Sequence, residues 1–73
     1  TKIIMLGREK SGDMKLSLRS SKVNISNILK KALVGIEGNG GGHDLACGAS
    51  VSLRDFDRFM EQFREELSKS KGL

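Results

Sequence analysis

Positions Gly38, Asn39, Gly40, Gly41 and Gly42 put four glycines in five consecutive places, and His43, the chain's single histidine, follows at once. Without a Cβ, a run of glycines lets a ligand approach the main chain closely and lets backbone N–H groups converge on an anion. Phosphate is the guest such a loop suits. His43 could add a hydrogen bond from an imidazole nitrogen, or serve as an acid or base with Asp44 as its nearest titrating neighbour in sequence. The competing reading of any glycine run is a plain flexible connector. Arg19 is a second candidate, because a guanidinium fork meets phosphate at two points and Ser20 and Ser21 beside it carry hydroxyls. Its bland alternative is a solvated arginine at a strand end.

Several chemistries are excluded by what the motifs lack. A P-loop needs Lys and then Ser or Thr after its last glycine, and a dinucleotide fingerprint needs glycines at positions one, three and six; neither occurs in this chain. Cys47 has no Cys or His at metal-ligand spacing and reads as a small packed side chain. Two-metal phosphodiester hydrolysis needs converging Asp, Glu and His residues. Here the acids fall mainly near residues 9–13 and along the last helix. Lys30 and Lys31 read as solvation of a helix. No metal ligand and no catalytic residue is assigned.

The elements that must position these residues follow from periodicity. Residues 2–6 favour β structure, and Met14-Lys15-Leu16-Ser17-Leu18 alternates with period two, so the two predict a hairpin closed around Gly12. From Asn24, an N-cap by residue type, the apolar positions Ile25, Ile28, Leu29, Ala32, Leu33 and Ile36 trace one helical stripe that Gly35 and Gly38 end. The glycine run is expected as a loop, with a helical turn at residues 44–47 and a third strand at Ser50 and Val51. Ser52 and Asp55 approximate a capping box before a second stripe of Leu53, Phe56, Phe59, Met60, Phe63 and Leu67. That stripe reads as core, and residues 68–73 should fray. The fold class is α/β: a small two-layer sandwich with a mixed sheet, a β-hairpin and two main helices.

Composition sets the bounds. The chain has 73 residues, enough for one domain over 1–73 near the lower limit for a single apolar core. Hydrophobic residues at 37% and charged residues at 30% suit a globular chain. Thirteen Lys and Arg against nine Asp and Glu leave +4, a mild attraction for phosphate-bearing partners. The opening Thr1-Lys2-Ile3 reads as an excised or processed fragment, and Ile3 to Leu6 is too short an apolar run to span a membrane. One cysteine fits a reducing cytoplasm, so a cytoplasmic location and no membrane partner are expected.

The run Gly40-Gly41-Gly42-His43-Asp44-Leu45-Ala46-Cys47-Gly48-Ala49-Ser50 resembles the GGGH-x-x-A-A/C-G-A-S signature of the DHH-associated domain of DHH phosphoesterases. Leu16 to Ser20 is similar to the strand before that domain's first helix, and Val23-Asn24-Ile25-Ser26-Asn27-Ile28 to its helix start. The likeness covers residues 13–67. It departs in Asn39 and the stretch from Gly35 to Gly38, which lengthen the glycine segment, and in Asp44, Leu45 and Cys47. The resemblance implies a substrate-binding domain, paired in the same chain with an N-terminal DHH catalytic domain that holds Mn(II), and gripping single-stranded nucleic acid or a nucleotide. Arg19, Asn39, Gly40, Gly41, Gly42 and His43 would then form the substrate site. Alone, the fragment would lack the metal centre and be inactive. A RecJ-like exonuclease or phosphodiesterase, similar to archaeal members, is the leading expectation. A non-catalytic scaffold of a RecJ-like replication protein, or a tRNA-binding domain of the alanyl-tRNA synthetase kind, stays open.

Overall fold

The computed structural model describes residues 3–71. Lys2, where the first strand was expected to begin, and Gly72 and Leu73 of the expected frayed tail lie outside the described residues.

Strands β1 (Ile3–Lys10) and β2 (Asp13–Ser20) pair antiparallel, with Ile3 opposite Ser20 and Lys10 opposite Asp13. The turn between them is two residues, Ser11 and Gly12, with φ of 52° and 84°. Positive φ at both positions matches the right-handed twist of a hairpin, which explains the glycine there. Helix α1 (Ile25–Ala32) follows, and the Asn24 side chain accepts from the Asn27 N–H at 3.1 Å as an N-cap should. The helix is shorter than its apolar stripe: Leu33 caps it and Gly35, at φ 74°, turns the chain. Ile36 is buried all the same.

The glycine run is a strand rather than a loop. Strand β3 (Gly38–His43) turns at Asp44 and Leu45 into β4 (Ala46–Ser52), so the helical turn predicted at residues 44–47 does not form, and the strand expected at Ser50 and Val51 begins at Ala46. The sheet order is β1-β2-β4-β3 and every pair is antiparallel, where a mixed sheet was expected. The pairs β1–β2 and β3–β4 are hairpins, while β2 and β3 are joined through α1 and do not pair, and β4 lies antiparallel beside β2. Nothing in this order requires a parallel neighbour.

After β4 a short 3-10 turn, η1 (Leu53–Asp55), leads into α2 (Phe56–Lys71), which keeps residues 68–71 helical where fraying was expected. The capping box is also redrawn. Ser52 Oγ accepts from the Arg54 N–H, while the Asp55 carboxylate accepts from the Glu37 N–H at 2.8 Å instead of reaching back to Ser52. The Ser52 N–H is already donated to the Glu37 carbonyl at 2.8 Å, which leaves Asp55 free to hold the chain entering β3.

Both helices lie on one face of the sheet. Leu16 and Leu18 of β2 and Cys47 and Val51 of β4 point to that face and bury with Ile25, Ile28, Leu29, Ala32, Phe59 and Phe63. Fully burying one such side chain contributes about 1.5–3 kcal/mol, so this shared layer, rather than helix propensity, holds the domain together. Helix α2 also serves α1 directly: Gln62 Nε2 donates to the carbonyls of Ala32 (2.7 Å) and Val34 (3.1 Å), and Arg58 donates to Gly35, satisfying groups left over at the α1 C-terminus.

Candidate functional site

Strand alternation decides which residues the helices cover and which they leave open. With Leu16, Leu18, Cys47 and Val51 turned inward, the opposite face of the sheet carries the intervening residues. The register lines them up in rows across the strands. His43, Ala46, Arg19 and Ile4 form one row; Gly41, Gly48, Ser17 and Leu6 the next; Asn39, Ser50, Lys15 and Arg8 the third. Arg8, Lys15, Ser17, Arg19, Asn39 and His43 are all exposed. Beyond them Asp13, an acid of this face, pairs in register with Lys10 at the hairpin end.

Four of the six residues singled out in the sequence therefore share this face: Arg19, Asn39, Gly41 and His43. Gly40 and Gly42 stand opposite Ala49 and Cys47 and belong to the helix-covered side. In an extended strand successive N–H groups point in opposite directions, so the three glycine amides cannot converge as they would in a loop. The bond from Ser52 N–H to Glu37 O sets the phase of the ladder. Alternation then places Asn39, Gly41 and His43 in hydrogen-bonded pairs and turns the N–H groups of Gly40 and Gly42 to the free edge of the sheet.

The glycines are present for different reasons. At Gly40 a Cβ would stand 2.9 Å from both the Ala49 Cβ and the Gly48 carbonyl oxygen. At Gly42, with φ 146°, it would stand 2.5 Å from the Ala46 carbonyl oxygen and 2.8 Å from the Cys47 Cα. Packing demands glycine at both. Gly41 is different, since a Cβ there would meet nothing within 4 Å, and at Gly48, its partner across the ladder, the nearest atom is the Leu16 carbonyl oxygen at an ordinary 3.7 Å. Neither has a positive φ. Gly41 and Gly48 thus leave a bare patch of backbone in the middle of the open face that the fold itself does not need.

Cations flank that patch. In the first row the small Ala46 separates His43 from Arg19, whose Cα atoms are two strand spacings apart, about 10 Å. Two long side chains at that separation can close on an anion lying over Ala46. The Cys47 thiol donates to the His43 carbonyl at 3.2 Å, and the Ser20 and Ile25 N–H groups donate to the Leu45 and Asp44 carbonyls at 3.0 and 2.8 Å, so the turn behind His43 is tied to the body of the domain. In the third row Lys15 Nζ donates to Ser50 Oγ at 2.9 Å. Lys15, Arg8, Ser50 and Gly48 were missed in the sequence, although the polar positions of the alternating strand, Lys15, Ser17 and Arg19, carried the signal for one shared face.

A groove of about 310 Å³ lies elsewhere, between the helices, lined by Asn24, Asn27, Ile28, Lys31, Glu66, Lys69 and Ser70. Its Lys69 is engaged: the hydrogen bond that its ammonium donates to Glu66 Oε2 at 3.3 Å, with the charges of Glu66 and Glu65, holds its pKa above the usual lysine value. Among the described residues no group of three or more His, Cys, Asp or Glu is placed to hold a metal ion, and no helix is long and apolar enough to cross a membrane.

A four-stranded antiparallel sheet backed by two helices, with basic residues around bare glycine backbone on its outer face, makes a small α/β domain. The chain belongs to the DHHA1 domain family, whose model matches residues 1–69. This is the DHH-associated domain found in DHH-family phosphoesterases, and it normally sits with an N-terminal DHH domain in the same chain. No curated protein matches the sequence.

Proposed function

We propose that the open face of the sheet binds the phosphate end of single-stranded nucleic acid or of a nucleotide, and that the chain is the substrate-binding domain of a RecJ-like exonuclease or phosphodiesterase. The observation that carries this reading is the Gly41–Gly48 patch. Two glycines that packing does not require sit side by side on the exposed face, next to the row bearing Arg19 and His43. Missing side chains at an open position serve a molecule that must come close to the main chain. The guanidinium of Arg19 and the hydrogen-bonding imidazole of His43 beside them support an anion as that molecule.

Within this reading His43 and Arg19 hold a phosphate over Ala46, and Gly41 and Gly48 admit the sugar-phosphate backbone beside it. Asn39 and the outward amides of Gly40 and Gly42 offer further donors along the β3 edge. In this reading hydrolysis falls to a DHH domain with its own Mn(II) ligands, in the reducing cytoplasm, while this domain binds and orients. The test is affinity for a 5′-phosphorylated tetranucleotide. His43→Ala should weaken it roughly tenfold or more, the scale of a hydrogen bond to a charged group. Unchanged affinity with the fold intact would remove His43 from the phosphate site and overturn this reading.

A further inference from the structure

We propose a second phosphate contact on the same face, made by Lys15 and Arg8 with Ser50 beside them, which makes this surface a track for an oligonucleotide rather than a cup for one nucleotide. The inference rests on the reading above and extends it to residues that the glycine-histidine motif does not include.

Three observations carry it. First, Lys15 and Arg8 are adjacent in the β1–β2 register and both exposed on the helix-free face, and Lys15 also donates to Ser50 on β4. Second, Lys15 and Arg19 are four positions apart on β2, about 13 Å at the rise of a strand. That is roughly two internucleotide steps of an extended single strand following a positive groove. The intervening row is the bare Gly41–Gly48 pair with Ser17, low enough for a backbone to cross. Third, the track has an end. In the next row Asp13 stands opposite Lys10 and offsets its charge, so the run of uncompensated basic residues stops at the hairpin.

Leu6 and Ile4, 66% and 47% exposed, lie on β1 along the same two rows and give an apolar shoulder. A strand whose phosphates run over β2 and β4 would rest sugars or bases there, which accounts for two large apolar side chains facing outward. The occupant is thus a single strand of at least three phosphates, held at its terminal phosphate by His43 and Arg19 and two steps inward by Lys15 and Arg8.

The experiment compares a 5′-mononucleotide with a 5′-phosphorylated tetranucleotide, using the wild-type chain, His43→Ala, and the double variant Arg8→Ala/Lys15→Ala. Affinities are measured across a salt series, and thermal melting confirms each fold. Each phosphate neutralised on a single strand releases about 0.7 counterion, so losing the one phosphate that Lys15 and Arg8 share should weaken tetranucleotide binding roughly 5-fold at 0.1 M salt and flatten the log–log salt slope by about 0.7. Mononucleotide binding by the double variant should stay at the wild-type value. If the double variant binds the tetranucleotide like wild type while His43→Ala weakens both ligands, the second contact is wrong and the first stands. If His43→Ala weakens neither ligand, or neither ligand binds the wild-type chain, the underlying reading and the track fall together.

Discussion

Replacing Gly41 and Gly42 by alanine, one at a time, separates the glycine the ligand needs from the glycine the fold needs. At Gly41 the added Cβ enters open space, and φ is not in the left-handed region. A glycine inside a strand is less stable than alanine by about 0.5–1 kcal/mol, so Gly41→Ala should stabilise the domain by that amount. For a domain of this size the melting temperature should rise by roughly 2–8 °C. At Gly42 the Cβ meets backbone, the Ala46 carbonyl oxygen at 2.5 Å and the Cys47 Cα at 2.8 Å, and φ is 146°. Backbone cannot rotate aside, so β3 must part from β4, at a cost of about 1–3 kcal/mol or more. A chain of this length has a net stability of only about 4–11 kcal/mol, and the loss will be plain in a urea melt followed by circular dichroism. The same proteins are then titrated with tetranucleotide. Gly41→Ala should bind about tenfold more weakly, an effect of about 1.4 kcal/mol, despite its higher stability. Equal binding by Gly41→Ala, or a Gly42→Ala protein as stable as wild type, would refute the division of roles.

Two further substitutions test the supporting frame. Phe59 is fully buried where α2 meets the sheet and stacks near Phe56 and Phe63, so Phe59→Ala should cost about 3–5 kcal/mol and bring a substantial unfolded fraction into view by circular dichroism. Cys47→Ala removes the thiol that donates to the His43 carbonyl, and should lower stability by about 1 kcal/mol in a urea melt while weakening tetranucleotide binding less than His43→Ala does.

Side-chain periodicity made the hairpin and both helices legible. Leu16 and Leu18 alternate with Lys15, Ser17 and Arg19, and the stripes ending at Ile36 and Leu67 repeat at helical spacing. Strand β3 was hidden because glycine has no side chain with which to alternate and is poor in strands by propensity. It forms because Gly38, Gly40 and Gly42 let it lie unusually close to β4, a contact that exists in three dimensions only. Small residues disguised β4 in the same way: Ala46, Gly48 and Ala49 suggest a turn until Val51 and Cys47 are seen on one buried face. At the site, the residue types of Arg19, Asn39 and His43 were readable one by one. That they share a face with Lys15, Arg8 and Gly48 depends on register, which pairs positions far apart in the chain, such as Lys15 with Ser50, 35 residues on.

The central claim is that the helix-free face of the sheet receives phosphate, and following backbone amide chemical shifts during titration with a 5′-phosphorylated tetranucleotide tests it most directly. The largest shifts should fall on Gly41, Gly48, His43, Arg19 and Lys15, with the outer surfaces of α1 and α2 unmoved. Shifts concentrated in the interhelical groove at Asn27, Lys31 and Lys69, or none at saturating ligand, would contradict it.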